Sequence, residues 1–138
     1  VMEMIELVEH QMDWLQKFKA EAAQIESALG AVYVRCHHIG STAIDGICAK
    51  PVIDMILEVT SLEELDACNP QLESLLYLPR GEFGIAGRRF FSKGELPRTH
   101  HIHAFVVGNP QITRHVLFRD YKSKDFVQIV GIICKLCL

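Results

Sequence analysis

The stretch CHHIGSTAIDGICAKPVID, residues 36–54, decides the fold. It begins inside a strand-like run, VYVRCHHI, and passes through Gly40-Ser41 and a small polar segment. It then enters a second apolar run, VIDMILEV, which carries one acid, Asp54. A glycine–serine turn between two strands, with a carboxylate on the second, is a frame suited to phosphate. Glycine lets the backbone approach a ligand closely, and exposed amides at a helix start favour an anion. Such sites commonly carry two or three carboxylates, yet position 56, where a second would fall, is Ile. The stretch reads as a metal site, a reduced version of one, or a plain strand–turn–strand.

Working outward, Ile5, Val8, Met12, Leu15, Phe18, Ala22, Ile25 and Leu29 recur in steps of three and four. That spacing predicts an amphipathic helix over 3–29, ended by Gly30. Residues 31–39 read as a strand, and 40–50 as a turn with one short helical turn. Residues 51–60 read as a buried strand, with Pro51 tolerated at its first position. Ser61-Leu-Glu-Glu64 is a capping box that opens a helix to about Tyr77. Pro79, Gly81, Gly84 and Gly87 mark a loop, and 88–93 with 99–107 read as a hairpin around a 94–97 turn. Asn109-Pro110 opens a last helix to about Lys124. The order α-β-β-α-β-β-α predicts an α+β fold, a mixed sheet with helices on one or both faces.

The chain has 138 residues and shows no repeat, low-complexity segment or linker, so one domain over 1–138 is expected. Its residues are 49% hydrophobic and 22% charged, with a net charge of −3, which supplies a core but no basic footprint for nucleic acid. No run approaches the roughly 18 apolar residues of a membrane span. The opening VMEMIELVEH is acidic and amphipathic, unlike a signal peptide. Five scattered cysteines, an odd number, agree with a reducing compartment, so a soluble cytoplasmic protein is expected. Cys134-x-x-Cys137 lies in an apolar tail with no second Cys/His pair at matching spacing. It reads as packed thiols rather than a redox or zinc half-site.

Asp54 lies mid-strand among Val52, Ile53, Met55 and Ile56, where an unpaired carboxylate is costly. It needs a metal, an arginine or backbone donors. Glu58 shares its face but lies about 13 Å further along the strand, too far to share one ion. In RTHHIHAF, His101 and His103 share a face while His100 and Ile102 take the other. Two imidazoles so placed can grip a metal or flank a phosphate; on an edge strand they can equally be solvated. Of His37 and His38 only one can look toward the Gly40 turn, and His38 is adjacent enough to orient it. Lys50, Arg88, Arg89, Lys93 and Arg98 form a local positive group in an acidic chain, suiting a phosphorylated ligand or guarding a sheet edge.

Taken together, HIGSTAIDGICAKPVIDMILEV, GRRFFSKG, RTHHIHAF and LFRDYKSK resemble the GrpB family, whose fold is nucleotidyltransferase-like. The resemblance runs in order from about Trp14 to Lys122, and beyond about 122 the chain is divergent or truncated. It implies a mixed sheet flanked by helices, with the glycine–serine turn and the strand carboxylate marking a cleft. Nucleotidyltransferases follow that turn with a carboxylate–apolar–carboxylate strand; here it reads Asp54-Met55-Ile56, and the GrpB-like pattern tends to keep only the first acid. Two-metal catalysis needs oxygens at both ions.

The resulting expectation is a protein that binds a nucleotide or small phosphorylated ligand, with nucleotidyl transfer as its enzymatic form. Gly40, Ser41, Lys50, Arg88 and Arg89 would hold phosphates. Asp54 would be the catalytic residue and metal anchor, helped by His101 or His103. The metal would be Mg²⁺ or Mn²⁺, or Zn²⁺ or Ni²⁺ if the histidines are ligands. The alternatives are a non-catalytic nucleotide or phosphometabolite-binding module and a histidine-based transition-metal protein. Neither nucleic acid nor membrane is expected as a partner.

Overall fold

The computed structural model describes residues 11–40, 52–94 and 98–124. Helix α1 (Gln11–Leu29) buries Trp14, Ile25 and Leu29 and packs Phe18 against the core. Leu15, expected inside, is 49% exposed because the inner stripe runs through Trp14 in steps of four, three and four. The same stripe carries a charge, Glu21, which is buried. Gly30, at φ +56°, ends the helix in a short 3₁₀ turn (Gly30–Val32) leading to β1 (Tyr33–Ile39).

Strand β2 (Ile53–Val59) is followed by α2 (Leu62–Ala67) and α3 (Asn69–Ser74), then β3 (Tyr77–Pro79). The single helix expected over 61–77 is thus two helices and a strand. Ser61 caps α2 as expected, its Oγ accepting from the Glu64 N–H at 3.4 Å. The break follows from Pro70, which sits in the first turn of α3 and has no N–H with which to continue the α2 ladder. Leu76, at φ +72°, then turns the chain into β3.

Strands β4 (Arg89–Lys93) and β5 (His100–Val106) pair antiparallel, as the hairpin reading requires, although 95–97 in the turn lie outside the described residues. Helix α4 (Pro110–Lys124) closes the described chain. The sheet order is β1-β2-β5-β4-β3, with β2 and β5 parallel and every other pair antiparallel. The fold is therefore α+β with a mixed five-stranded sheet. No described helix is long and apolar enough to cross a membrane.

Strand alternation divides the molecule into two layers. On the α1 side, Ile53, Met55, Leu57 and Val59 of β2 join Ile102 and Ala104 of β5, Phe91 and Tyr77, under Ile25, Leu29, Leu65 and Leu72. Each such buried side chain contributes about 1.5–3 kcal/mol, which makes this the principal core. On the other side Ile39, Ile56 and Phe105 meet Ile112 of α4 in a much smaller cluster. At the end of this second face, where β1 finishes and β2 and β5 begin, the side chains turn polar.

Candidate functional site

Asp54 and His101 are direct neighbours across the parallel β2–β5 pair, and His103 follows on the same face. The Asp54 Oδ1 accepts from both rings, His101 Nδ1 at 3.2 Å and His103 Nε2 at 3.4 Å. Burial alone would raise the Asp54 carboxyl. The hydrogen bonds and charge of the two histidines outweigh it and bring the group down to about 2. The acid is therefore ionised at any physiological pH.

Gly40 closes one side. A Cβ at that position would stand 2.9 Å from Asp54 Oδ2 and 3.1 Å from its Cβ. The residue also has φ +74°, so the space and the backbone both call for glycine. The turn read in the sequence thus presses on the strand acid, leaving Oδ1 to the histidines and Oδ2 toward the turn.

Phe90, paired with His103 across β4–β5, lays its ring 5.3 Å from His101 and 5.2 Å from His103. Arg88 sits over Phe90 at 5.1 Å, with Nη1 3.3 Å from His103 Nδ1. Its other donors go to the Glu82 carbonyl from Nε at 3.1 Å and the Phe83 carbonyl from Nη2 at 2.7 Å. Arg88 is only 7% exposed, so it braces the histidines and the preceding loop and does not project toward solvent.

Helix α4 adds His115, one turn beyond the buried Ile112. Partial burial first, then the charges of His103, Arg114 and Arg88, lower its pKa, while Asp54 opposes them. Arg119 on the same side donates to the His38 carbonyl at 3.0 Å.

The other residues singled out in the sequence go elsewhere. Arg89 points to the opposite face and forms a bidentate pair with Asp66 of α2, at 2.9 and 3.2 Å, because consecutive strand residues alternate sides. His38 also turns to the α1 side, stacked on Phe18 at 4.8 Å. Burial, reinforced by Arg119, lowers its pKa to about 4 against the pull of Asp54. His37 and Glu58 hydrogen-bond to each other. Lys93 binds Glu21, and Arg98 lines a cavity of about 760 Å³ with Arg80 and Ser92 at the β3–β4 edge. Ser41, Lys50 and the Cys134-x-x-Cys137 motif lie outside the described residues. Cys36, by contrast, is a half-buried thiol whose desolvation pushes it up to about 12, which makes it unreactive.

As for metal, no group of three or more His, Cys, Asp or Glu among the described residues is arranged to hold an ion. Ile56, at the place of a second acid, is fully buried against Ile39, Phe105 and Ile112. One strand carboxylate fits an ion that brings most of its own oxygen ligands, as Mg²⁺ does with water and phosphate. Phe90 and His115 were not singled out in the sequence. Phe90 was legible as the hairpin position facing the His101/His103 side; His115 needed the helix docked.

A family model described as GrpB protein matches residues 4–125. The chain is 44% identical over 117 residues to the UPF0157 protein YqkA of Bacillus subtilis (strain 168), covering 85% of this chain and 34% of that protein. It is 38% identical over 119 residues to the UPF0157 protein BH1888 of Halalkalibacterium halodurans, covering 85% and 60%. The chain thus spans between about one third and three fifths of the length of these relatives. The crystal structure of conserved protein GrpB from Enterococcus faecalis superposes with a TM-score of 0.80 at 36% identity, covering 83% of this chain and 70% of that one.

Proposed function

This chain belongs to the GrpB family, and we propose that its Asp54 face binds a phosphorylated ligand of the nucleotide class through one divalent cation. The observation that carries the reading is convergence. The Gly40 turn, the ionised Asp54 and the His101/His103 pair meet at one end of the sheet. Asp54 Oδ2, which neither histidine takes, would anchor Mg²⁺ or Mn²⁺, and the ligand's phosphates would complete the coordination. Imidazole and arginine groups around the acid offset the negative charge that a polyphosphate brings. Nucleotidyl transfer is the enzymatic form of this reading.

A second reading, a phosphate-ligand module without catalysis, is favoured by Ile56. Its burial in the small core leaves β2 with one acid at the site, whereas two-metal transfer clamps oxygens at both ions. Isothermal titration with a nucleotide panel in Mg²⁺ or Mn²⁺, repeated in EDTA and with Asp54→Asn, separates the two. The cation-dependent reading expects binding by wild type that EDTA and Asp54→Asn both abolish. Binding that survives both belongs to the module, and no binding at millimolar nucleotide defeats either reading.

A further inference from the structure

In sequence His101 and His103 are equivalent, but their hydrogen bonding is not. His103 has both ring nitrogens engaged, Nε2 with Asp54 Oδ1 and Nδ1 with Arg88 Nη1. A guanidinium only donates, so Nδ1 is the bare nitrogen and Nε2 carries the hydrogen that the carboxylate accepts. Arg88 is itself held by the carbonyls of Glu82 and Phe83, the latter at the strained φ of +48°. The loop thus sets Arg88, Arg88 sets the tautomer of His103, and His103 helps hold Asp54.

His101 is wired the other way round. Its Nδ1 donates to Asp54 Oδ1, so the lone pair lies on Nε2. That Nε2 is buried and has no hydrogen-bond partner among the described residues. A buried acceptor without a donor costs stability, and such atoms are rare without a reason. The side chain as a whole is 22% exposed, which places the atom beneath the surface rather than deep in the core.

We infer that the pair is divided in its work: His103 is a positioning residue locked by Arg88, and His101 contacts the ligand, its Nε2 accepting a hydrogen bond from a hydroxyl or N–H group near the phosphates. This rests on the reading of the face as a ligand site, and it adds that the ligand carries a hydrogen-bond donor beside its phosphate. An imidazole with a carboxylate on one nitrogen and a lone pair on the other is a stronger acceptor than a free ring.

Two measurements test it. In ligand-free protein labelled with ¹⁵N-histidine at about pH 8, above the ordinary histidine range, long-range proton–nitrogen spectra should show His103 as the Nε2–H tautomer and His101 as the Nδ1–H tautomer. Arg88→Met should release the first and leave the second. Reversed tautomers overturn the division while leaving the proposed function standing. In the second arm, an Asn amide stands in for Nδ1 and a Gln amide for Nε2, so both His101→Asn and His103→Gln keep the donor to Asp54. With ATP and Mn²⁺ as the probe, His101→Asn should weaken binding about tenfold, the loss of one hydrogen bond. His103→Gln, which loosens only the hold on Asp54, should weaken binding by a smaller factor of about three. Equal losses, or a larger loss in His103→Gln, overturn the inference. Absence of nucleotide binding by wild type instead removes the ligand role of His101 together with the proposed function.

Discussion

Strand β5 presents a histidine to a carboxylate on each face of the sheet, and the two encounters are built differently. On the α1 side, Glu21 is 5% exposed and accepts from the Tyr77 hydroxyl at 2.9 Å and from Lys93 at 2.8 and 3.1 Å, with His100 at 3.6 Å. Burial, then the charge of Glu21, raise the Tyr77 pKa, so its hydroxyl remains a donor. His100 Nδ1 bonds Thr99 Oγ1 at 2.8 Å. This group is closed: a cation, a phenol and an imidazole all answer one acid. On the other side Asp54 has two imidazoles and, among the described residues, no direct cation, with Oδ2 against Gly40 and one imidazole nitrogen unpartnered. A closed polar cluster joins a helix to a sheet edge; an incompletely satisfied one is where a ligand finds groups to meet.

Removing Glu21 should show the difference most strongly. Glu21→Ala leaves Lys93 without its carboxylate and the Tyr77 hydroxyl without its acceptor, at a cost of about 3–5 kcal/mol. Urea unfolding measures this, and a loss below about 1 kcal/mol would erase the contrast with Asp54. Acid sharpens it next. The unfolded chain takes up a proton at His38 near 6.5 and the folded protein near 4, so between those values the unfolded state binds more protons. Stability from this group is complete above pH 6.5 and declines by about 3 kcal/mol as pH falls to about 4. His38→Phe, which keeps the stack on Phe18, should flatten that slope in pH-dependent melting.

Asp54→Asn should cost less, about 1–2 kcal/mol at neutral pH, since the amide oxygen still accepts from both rings. Because the folded pKa is depressed from 3.8 to about 2, the contribution is present above 3.8 and lost as pH falls toward 2, a lower window than that of His38. The smallest change belongs to Arg89→Ala. It breaks a partly exposed pair with Asp66, worth about 0.2–1 kcal/mol, and leaves the Asp54 face untouched. A large loss of ligand binding in Arg89→Ala would contradict the division of faces.

Much of this geometry was legible beforehand because it follows from alternation. The period of two in RTHHIHAF placed His101 and His103 together, and the turn-then-acid order placed Gly40 beside Asp54. The same rule applied to Arg88-Arg89 would have separated them, since only one of two adjacent strand residues can face the site. Glu21 was hidden because a buried acid on an apolar helix stripe has no local signature; its partners lie 56, 72 and 79 residues away in Tyr77, Lys93 and His100. Strand β3 has three residues and follows a leucine at positive φ, too short for a periodic signal. The tautomer inferred for His103 depends on Arg88 reaching across from the preceding loop, a tertiary contact with no pattern in the sequence.

The claim that the Asp54 face is a ligand site is tested most directly by the melting shift on adding ATP with Mn²⁺ to wild type and to Asp54→Asn. Ligand at about 100 times its Kd contributes about 2.7 kcal/mol to the folded state. The account predicts a rise of several degrees in wild type and none in Asp54→Asn. No shift in wild type, or equal shifts in both proteins, would contradict it.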